Sequence, residues 1–322
     1  MKLYSILSKT SIIFLLLIVI SSCSSNINEL GKRDRIDLKM ELTPSQAENV
    51  SENEVIKNLR IILTSKESNE IIKNQRYELS ENGMHFQIVI SDVPEGMYDA
   101  YIFANEDVLE SDKNTNLYLD NISSKTELEQ LSTPNNASQF SNRIPYAGKK
   151  QNVLIDKTHT NLKIALKRLI SKLVININNL GTEELNLTKI KIGNVLDIKN
   201  LIFTKMYETN SPNPKVLSIE KAANYTVSPK NSIVVTQYLY EVVAPFPTLD
   251  SPSKALTLGL EGAGNQIYDP QMLKEKGGNL LDAITSNTVY RINISINNDK
   301  IVGIELDIHP WDKFEASLPT FK

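Results

Sequence analysis

Residues 162–178, LKIALKRLISKLVININ, decide how the chain is divided. Apolar residues fall on even positions up to Leu166, and from Leu169 to Ile177 the alternation moves to odd positions. Because strand side chains repeat with a period of two, this change of phase indicates a bulge or a boundary between two strands. A helix would also gather several of these residues on one face, but the β-branched residues and the Asn-rich end favour strands. We interpret the stretch as the last strand of one β-domain running into the first strand of another.

Short segments of alternating or apolar character flank this stretch on both sides. Residues 36–42 alternate strictly and form the clearest strand of the sequence. Further strands are predicted at 59–64, 84–90, 97–105, 151–155, 185–192, 232–243, 255–260, 288–296 and 301–308, and a short helix at 125–131. Short strands, turns rich in Asn, Gly and Pro, and the lack of long helical periods predict an all-β fold built from antiparallel sandwiches.

The composition sets the class of protein. The chain has 322 residues, of which 41% are hydrophobic and 23% charged, so a folded rather than a disordered protein is expected. Its net charge is −3 and neither half carries a long basic run, which argues against nucleic acid as a partner. A single cysteine excludes an intrachain disulfide, so stability has to come from the hydrophobic cores.

The N-terminus has the features of an export signal. Lys2 and Lys9 precede the apolar run 12–20, which is followed by Ser21, Ser22 and Cys23. The position of the cysteine after small residues resembles the lipobox of bacterial lipoproteins, in which the cysteine is acylated and becomes the new N-terminus. The resemblance implies a signal peptide at 1–22, a lipid on Cys23 and a polar tether at 23–35. The alternative is a plain signal peptide with an incidental cysteine.

No constellation of residues points to catalysis. The three histidines, His85, His159 and His309, are far apart and lack metal-ligand spacing. GxSxG, CxxC and phosphate-binding glycine motifs are also missing from the sequence. We therefore predict no catalytic residue, no metal site and no cofactor. Trp311, which follows Pro310, is interpreted as a packing anchor, with a sugar-stacking platform as the alternative.

The order of several segments resembles the fimbrillins, the lipoprotein precursors of Bacteroidetes-type cell-surface fimbriae. The matching segments are the lipobox at Cys23 and residues 94–98, 103–105, 144–148, 166–173, 287–294 and 310–311. The resemblance implies two transthyretin-like antiparallel β-sandwich domains in tandem, which we expect at residues 36–166 and 167–322.

The resemblance also implies a way of assembly. In many fimbrillins a protease removes an N-terminal strand, and a strand from a neighbouring subunit, often its C-terminal tail, fills the groove. The strand removed here would carry Ile36, Leu38, Met40 and Leu42 toward the core. The donor strand would use Phe314, Ala316 and Leu318. Alternatively, the tail completes its own sandwich or frays.

One departure from the family qualifies this expectation. Processing in the best-known fimbrillins follows a basic residue just after the first strand, but residues 43–56 contain no Lys or Arg. The basic cluster at 32–35 precedes the strand. The sequence thus fits an anchor or accessory subunit that keeps its first strand, or a subunit cut by another protease.

The predicted function is that of a structural and adhesive fimbrial subunit at the cell outer membrane, not an enzyme. Its expected partners are other fimbrial subunits, the outer membrane through the lipid on Cys23, and ligands on host or bacterial surfaces. The alternative is an outer-surface lipoprotein that binds glycans through a β-sandwich.

Overall fold

A computed structural model describes residues 35–44, 55–79, 86–107, 119–133, 143–203, 207–209, 215–245 and 255–311. Nearly all secondary structure in these ranges is β-strand, arranged in sheets that are largely antiparallel. This confirms the all-β fold expected from the sequence. In the described part of the chain, no helix is long and apolar enough to cross a membrane.

The first half of the chain forms a layer of four antiparallel strands. These are β2 (Asn58–Ser65), β3 (Ile71–Glu78), β5 (Gly96–Ala104) and β7 (Tyr146–Ile155), hydrogen-bonded in the order β3-β2-β5-β7. Every residue of β2 is buried, since this strand has a neighbour on each side and cover on both faces.

A second layer of the first half contains three strands. They are β1 (Arg35–Pro44), β4 (Phe86–Pro94) and β8 (Asn161–Arg168), in the order β8-β1-β4. Strands β7 and β8 pair only where Tyr146 and Ala147 meet Arg168 and Lys167, and then separate. Buried residues from both layers belong to one hydrophobic cluster, so the two layers enclose a common core.

The second half contains two layers of four strands each. One layer has the order β13-β10-β16-β17 and the other β14-β9-β19-β20. Their bounds are β9 (Ile170–Asn179), β10 (Leu185–Leu196), β13 (Val216–Val227), β14 (Ser232–Tyr240), β16 (Thr257–Gly262), β17 (Ile267–Met272), β19 (Thr288–Asn297) and β20 (Lys300–Pro310). Two neighbouring pairs, β1–β8 and β9–β19, run parallel, which the sequence did not predict.

Short elements connect these layers. They are α1 (Lys125–Glu129), β6 (Ser132–Thr133), β11 (Ile198–Leu201), β12 (Tyr207–Thr209), β15 (Val242–Val243), β18 (Ala283–Ile284), and two 3₁₀ turns at Leu119–Asn121 and Ala263–Asn265. Helix α1 begins where the Ser124 side chain accepts a hydrogen bond from the amide of Glu127, and it confirms the predicted short helix. Strand β6 of the first half pairs with β11 of the second half.

Burial along residues 161–179 follows the change of phase in the sequence. Strand β8 buries its even positions through Arg168, whereas β9 buries odd positions from Ser171 onward, and Leu169 lies between them. Because β8 and β9 belong to different sheets, the boundary between two strands is confirmed. Strand β8 extends two residues beyond the predicted domain boundary at 166/167, and the division into two domains remains a prediction.

Three substantial strands, β3, β13 and β17, were missed by the sequence analysis. Each lies at the edge of its layer, and most of its side chains are partly or fully exposed. An edge strand of this kind buries few apolar residues, so it lacks the clear alternation on which a prediction depends.

Candidate functional site

Strand β1 occupies the middle of the three-stranded layer. It pairs antiparallel with β4 on one side and parallel with β8 on the other. Met40 is therefore opposite both Ile88 of β4 and Leu162 of β8. We call the space between β4 and β8 the β1 slot.

The walls of the β1 slot are apolar. Ile88 and Ile90 of β4 and Leu162 and Ile164 of β8 are all at least 93% buried. Directly opposite residues of neighbouring strands share a face of the sheet. The register pairs the predicted residues Ile36, Leu38 and Met40 with the buried residues Val93, Ile90 and Ile88 of β4, and it pairs Leu42 with Ile164 of β8.

Strand β4 depends on β1 for its pairing. Among the described strands β4 pairs with β1 alone, while β8 otherwise meets β7 over only two residues. Without β1, backbone groups of both β4 and β8 would lose their hydrogen-bond partners, and the apolar walls would meet water. An empty β1 slot would thus accept another extended strand.

Buried acids of the first half have basic partners. Glu106 is fully buried and receives hydrogen bonds from Nε and Nη2 of Arg60 at 2.6 and 3.0 Å. Nη1 of Arg76 lies 3.0 Å from the same carboxylate. Asn105 donates to the carbonyl oxygens of Val55 and Ile144. These contacts hold the segment after β5 against β2 and give the Glu106 carboxylate a structural role.

Asp99 has a similar structural role. Burial acts to raise its pKa, but hydrogen bonds from Lys125 at 2.8 Å and from the amide of Asn152 at 2.9 Å outweigh burial. Together with the charge of Lys66, they hold the pKa of Asp99 below its usual value. The carboxylate is therefore ionised and fixed between β5, β7 and α1.

The described residues provide no cluster of metal ligands. No group of three or more His, Cys, Asp or Glu side chains among them could hold a metal ion. His159 lies against Asp156 in an exposed turn, where hydrogen bonds from Thr158 and His159 lower the pKa of Asp156. His309 contacts Asp307 on the outer face of β20. The two histidines belong to different halves and share no neighbour.

Trp311 lies where the two halves meet and is only 5% exposed, which confirms the packing-anchor interpretation. Its ring stacks on Tyr238 with centroids 5.9 Å apart, and the Arg168 guanidinium lies 4.8 Å from its centre. The same guanidinium lies 5.7 Å from the ring of Tyr146. The ring thus joins β8 and β7 of the first half to β14 and β20 of the second.

A second contact between the halves is made by Phe203, which follows β11. Its ring packs edge-on against Tyr101 and Phe103 of β5, with centroid distances of 5.0 and 5.1 Å. Sequence analysis missed these residues and the role of Arg168, because each contact joins segments far apart in the chain. Of the other predicted site residues, Cys23, Phe314, Ala316 and Leu318 lie outside the described residues.

Comparison with known proteins was informative only at the level of structure. No protein-family model and no curated protein sequence matches the chain. The tip fimbrial protein Mfa3 of Porphyromonas gingivalis, in a form with a C-terminal truncation, aligns with a TM-score of 0.57 and 16% identity, over 86% of this chain and all of that one. A "putative cell adhesion protein" of Parabacteroides distasonis aligns with a TM-score of 0.55 and 15% identity, over 87% of this chain and 98% of that one.

A third similar structure, the fimbrial anchor protein Mfa2 of Porphyromonas gingivalis, aligns at a TM-score of 0.48 and 11% identity, over 86% of this chain and 98% of that one. Of these three neighbours, the two with TM-scores above 0.5 are a tip fimbrial protein and a "putative cell adhesion protein". At such low identity the likeness establishes the fold. The chain therefore has the fold of Bacteroidetes fimbrial proteins, as its resemblance to the fimbrillins led us to expect.

Proposed function

We propose that the protein is a structural and adhesive subunit of cell-surface fimbriae, exported as a lipoprotein acylated on Cys23 and assembled with other subunits by strand exchange. The fold shared with the tip fimbrial protein Mfa3 over 86% of the chain supports the fimbrial role. The position of β1 supports strand exchange, because the strand expected to leave lies between two strands that both pair with it.

The exchange follows from the physics of the β1 slot. An incoming strand with alternating apolar residues would restore the hydrogen bonds of β4 and β8 and cover their buried side chains. Phe314, Ala316 and Leu318 of a neighbouring subunit supply such an alternation. Since both edges of the slot lose their partner together, the gain on refilling is larger than at an ordinary sheet edge.

The absence of a basic residue from positions 43–56 favours an anchor or accessory subunit. Residues 43–56 contain no Lys or Arg, and β1 begins at Arg35, so a cut within the basic cluster 32–35 leaves β1 in its slot. A subunit that keeps β1 can donate its own strand but cannot accept one, and it therefore ends a fimbria. A mature N-terminus beyond Leu42 on assembled material would contradict this part of the proposal.

Strand exchange is tested by making β1 removable. Position 49 lies within residues 43–56, so Asn49→Arg introduces a tryptic site into a stretch that has no Lys or Arg. The next basic residue, Lys57, directly precedes β2, and its amide is held by a hydrogen bond to Oδ1 of Asn105 at 2.8 Å. Lipid-free protein is treated briefly with trypsin and analysed on gels with and without heating. We expect a ladder of heat-sensitive multimers for trypsin-treated Asn49→Arg, and monomer for the natural sequence.

The same protein without residues 314–322 is the control for the donor. It should stay monomeric after the same treatment, because it can accept but not donate a strand. Monomer in every lane, although N-terminal sequencing shows that β1 has been cut off, would refute strand exchange. Lipidation is tested separately by mass spectrometry of the mature N-terminal peptide, with Cys23→Ser as the unmodified control.

A further inference from the structure

Strand β14 has one open edge within the described part of the chain. It pairs with β9 along all nine residues, from Ser232 opposite Asn178 to Tyr240 opposite Ile170, and no other described strand pairs with it. The carbonyl oxygen of Thr236 accepts a hydrogen bond from Nζ of Lys221 at 2.8 Å. This carbonyl therefore points away from β9, and the period of two directs the backbone groups of Val234 and Tyr238 the same way.

Lys221 reaches this edge from inside the sandwich. It lies on β13 opposite Ile190, which is fully buried, and burial lowers the pKa of its ammonium group. A lysine directed inward at an open edge is a known way to protect unpaired backbone from association. Here the lysine satisfies one carbonyl of β14, at the cost of placing a charge between the layers.

Gln237 lies next to this contact and lacks hydrogen bonds. The residue is only 2% exposed, and neither Nε2 nor Oε1 has a partner among the described residues. A buried amide without hydrogen-bond partners destabilises a fold, because its polar groups lose the water they bind in the unfolded chain. Such a group indicates that something which supplies hydrogen bonds belongs on this side of the sandwich.

The chain enters its last segment beside the same strand. Strand β20 is at the opposite edge of the layer from β14, yet the ring of Trp311 stacks on Tyr238 of β14 and lies 5.7 Å from Nζ of Lys172. The side chain therefore reaches across the end of the sheet. Residues 312–322 begin from this point.

Length and direction suit these residues to the open edge. The seven residues 312–318, which precede Pro319, span about 23 Å when extended, and the nine residues of β14 span about 30 Å. Trp311 stacks on Tyr238, two residues before the end of β14 at Tyr240, so a segment running from Trp311 along this strand toward Ser232 is antiparallel to it. Phe314, Ala316 and Leu318 alternate with polar residues, as expected for a strand with one covered face.

We propose that residues 312–322 of the same chain add to the open edge of β14 as an antiparallel strand. The added backbone takes the place of Lys221 Nζ on the Thr236 carbonyl and supplies hydrogen-bond partners near the Gln237 amide. Pairing ends at Pro319, which lacks an N–H group. In the separate subunit the tail is thus held against its own second half, and any donation to a neighbour requires it to leave β14.

Hydrogen exchange of the β14 amides tests this proposal. The full lipid-free chain (Cys23→Ser) is compared with Ala316→Pro/Ser317→Pro, which removes two donors from the pairing segment. Thr320→Pro/Phe321→Pro is the matched control, since these positions follow Pro319. We expect the amides of Val234, Thr236 and Tyr238 to exchange about tenfold faster or more in the first variant and unchanged in the control.

The remaining outcomes are equally decisive. Equal exchange of β14 in all three proteins would overturn the proposal, because the tail would then lie elsewhere. Protection that increases with protein concentration would also overturn it, since the strand would come from a second copy. The result does not depend on fimbrial strand exchange, which is scored by multimers on the gel and not by β14 exchange in a monomer.

Discussion

The two halves of the molecule complete their sandwiches in different ways. In the second half both layers have four strands, all from residues 170–310. In the first half, one layer has only three strands, and its middle strand is β1, the first described segment of the chain. Removal of a strand from the edge of a layer costs one row of hydrogen bonds, but removal of β1 costs two rows. The difference teaches that the first half takes the middle of one layer from the first described segment of the chain, whereas the second half takes its central strands from within residues 170–310.

The largest effect should come from a charge in the β1 slot. Met40→Asp places a carboxylate opposite Ile88 and Leu162, and we expect a loss of about 4 kcal/mol or more in the free energy of unfolding. Hydrogen exchange should increase in β4 and β8 and remain slow in β19. Asp37→Asn, in the same strand but exposed, is the control and should change stability by less than about 0.5 kcal/mol. An equal increase of hydrogen exchange in both halves would contradict the expected difference between them.

A smaller loss is expected when the contact between the halves is broken. Trp311→Ala removes the ring that stacks on Tyr238 and Arg168, at a cost of about 3 kcal/mol. Denaturant unfolding, followed by probes in each half, should separate into two transitions. Val302→Ala, which trims an exposed residue of the neighbouring strand β20, should leave a single transition. Coincident transitions in both proteins would show that β6–β11 pairing and Phe203 suffice to couple the halves.

The buried Asp99 should make the stability of the first half depend on pH in the acidic range. Its pKa is lower in the folded than in the unfolded protein, so its carboxylate stabilises the fold above about pH 4, and this contribution is lost as the pH falls through the folded pKa. Asp99→Asn should lower the free energy of unfolding by about 1–2 kcal/mol at pH 7. It should also make that free energy depend less on pH in the acidic range. Asp269→Asn, at an exposed position of β17, should leave this dependence as it is. If the stability of Asp99→Asn still falls in acid as that of the natural protein does, other carboxylates are responsible for the loss.

The smallest effect concerns the outer face of the second half. Lys189 and Lys191 form exposed ion pairs with Glu220 and Glu261 across β10, β13 and β16. Because water and salt screen such pairs, Glu220→Gln should lower the melting temperature only slightly, and less at 0.5 M NaCl than at low salt. A loss as large as that of Asp99→Asn would mean that the surface network stabilises the second half as strongly as a buried carboxylate stabilises the first.

The sequence predicted those parts of the fold that depend on local pattern. The phase change after Leu166 marked the passage from β8 to β9, and strict alternation at 36–42 located β1. Partners could not be predicted in the same way, because nothing in the pattern of β1 specifies that β4 and β8 lie on either side of it. Strand β13 was missed because its inward row includes Lys221 and its exposed row includes Val216 and Ala222, so apolar and polar residues do not alternate clearly.

In the candidate site too, the sequence pattern located a strand but not its partners. Alternation identified Ile36, Leu38, Met40 and Leu42, whereas the walls that make their strand replaceable come from residues far along the chain. Trp311 was correctly interpreted as an anchor, since a lone tryptophan without aromatic neighbours in sequence is usually packed. Its partners Arg168 and Tyr238 became visible only in three dimensions, as did the open edge of β14.

The parallel pairing of β1 with β8 has a consequence for the order of folding. Lys39 pairs with Asn161, so β1 has to wait until about 120 further residues have been synthesised before one of its partners exists. Closing so long a loop is entropically costly, and contacts of this kind form late and slowly. Strands β2, β3, β5 and β7 pair over much shorter separations and can assemble first. Each newly made chain therefore passes through a stage in which β8 does not yet exist and β1 can pair only with β4, which lies about 50 residues further along the chain.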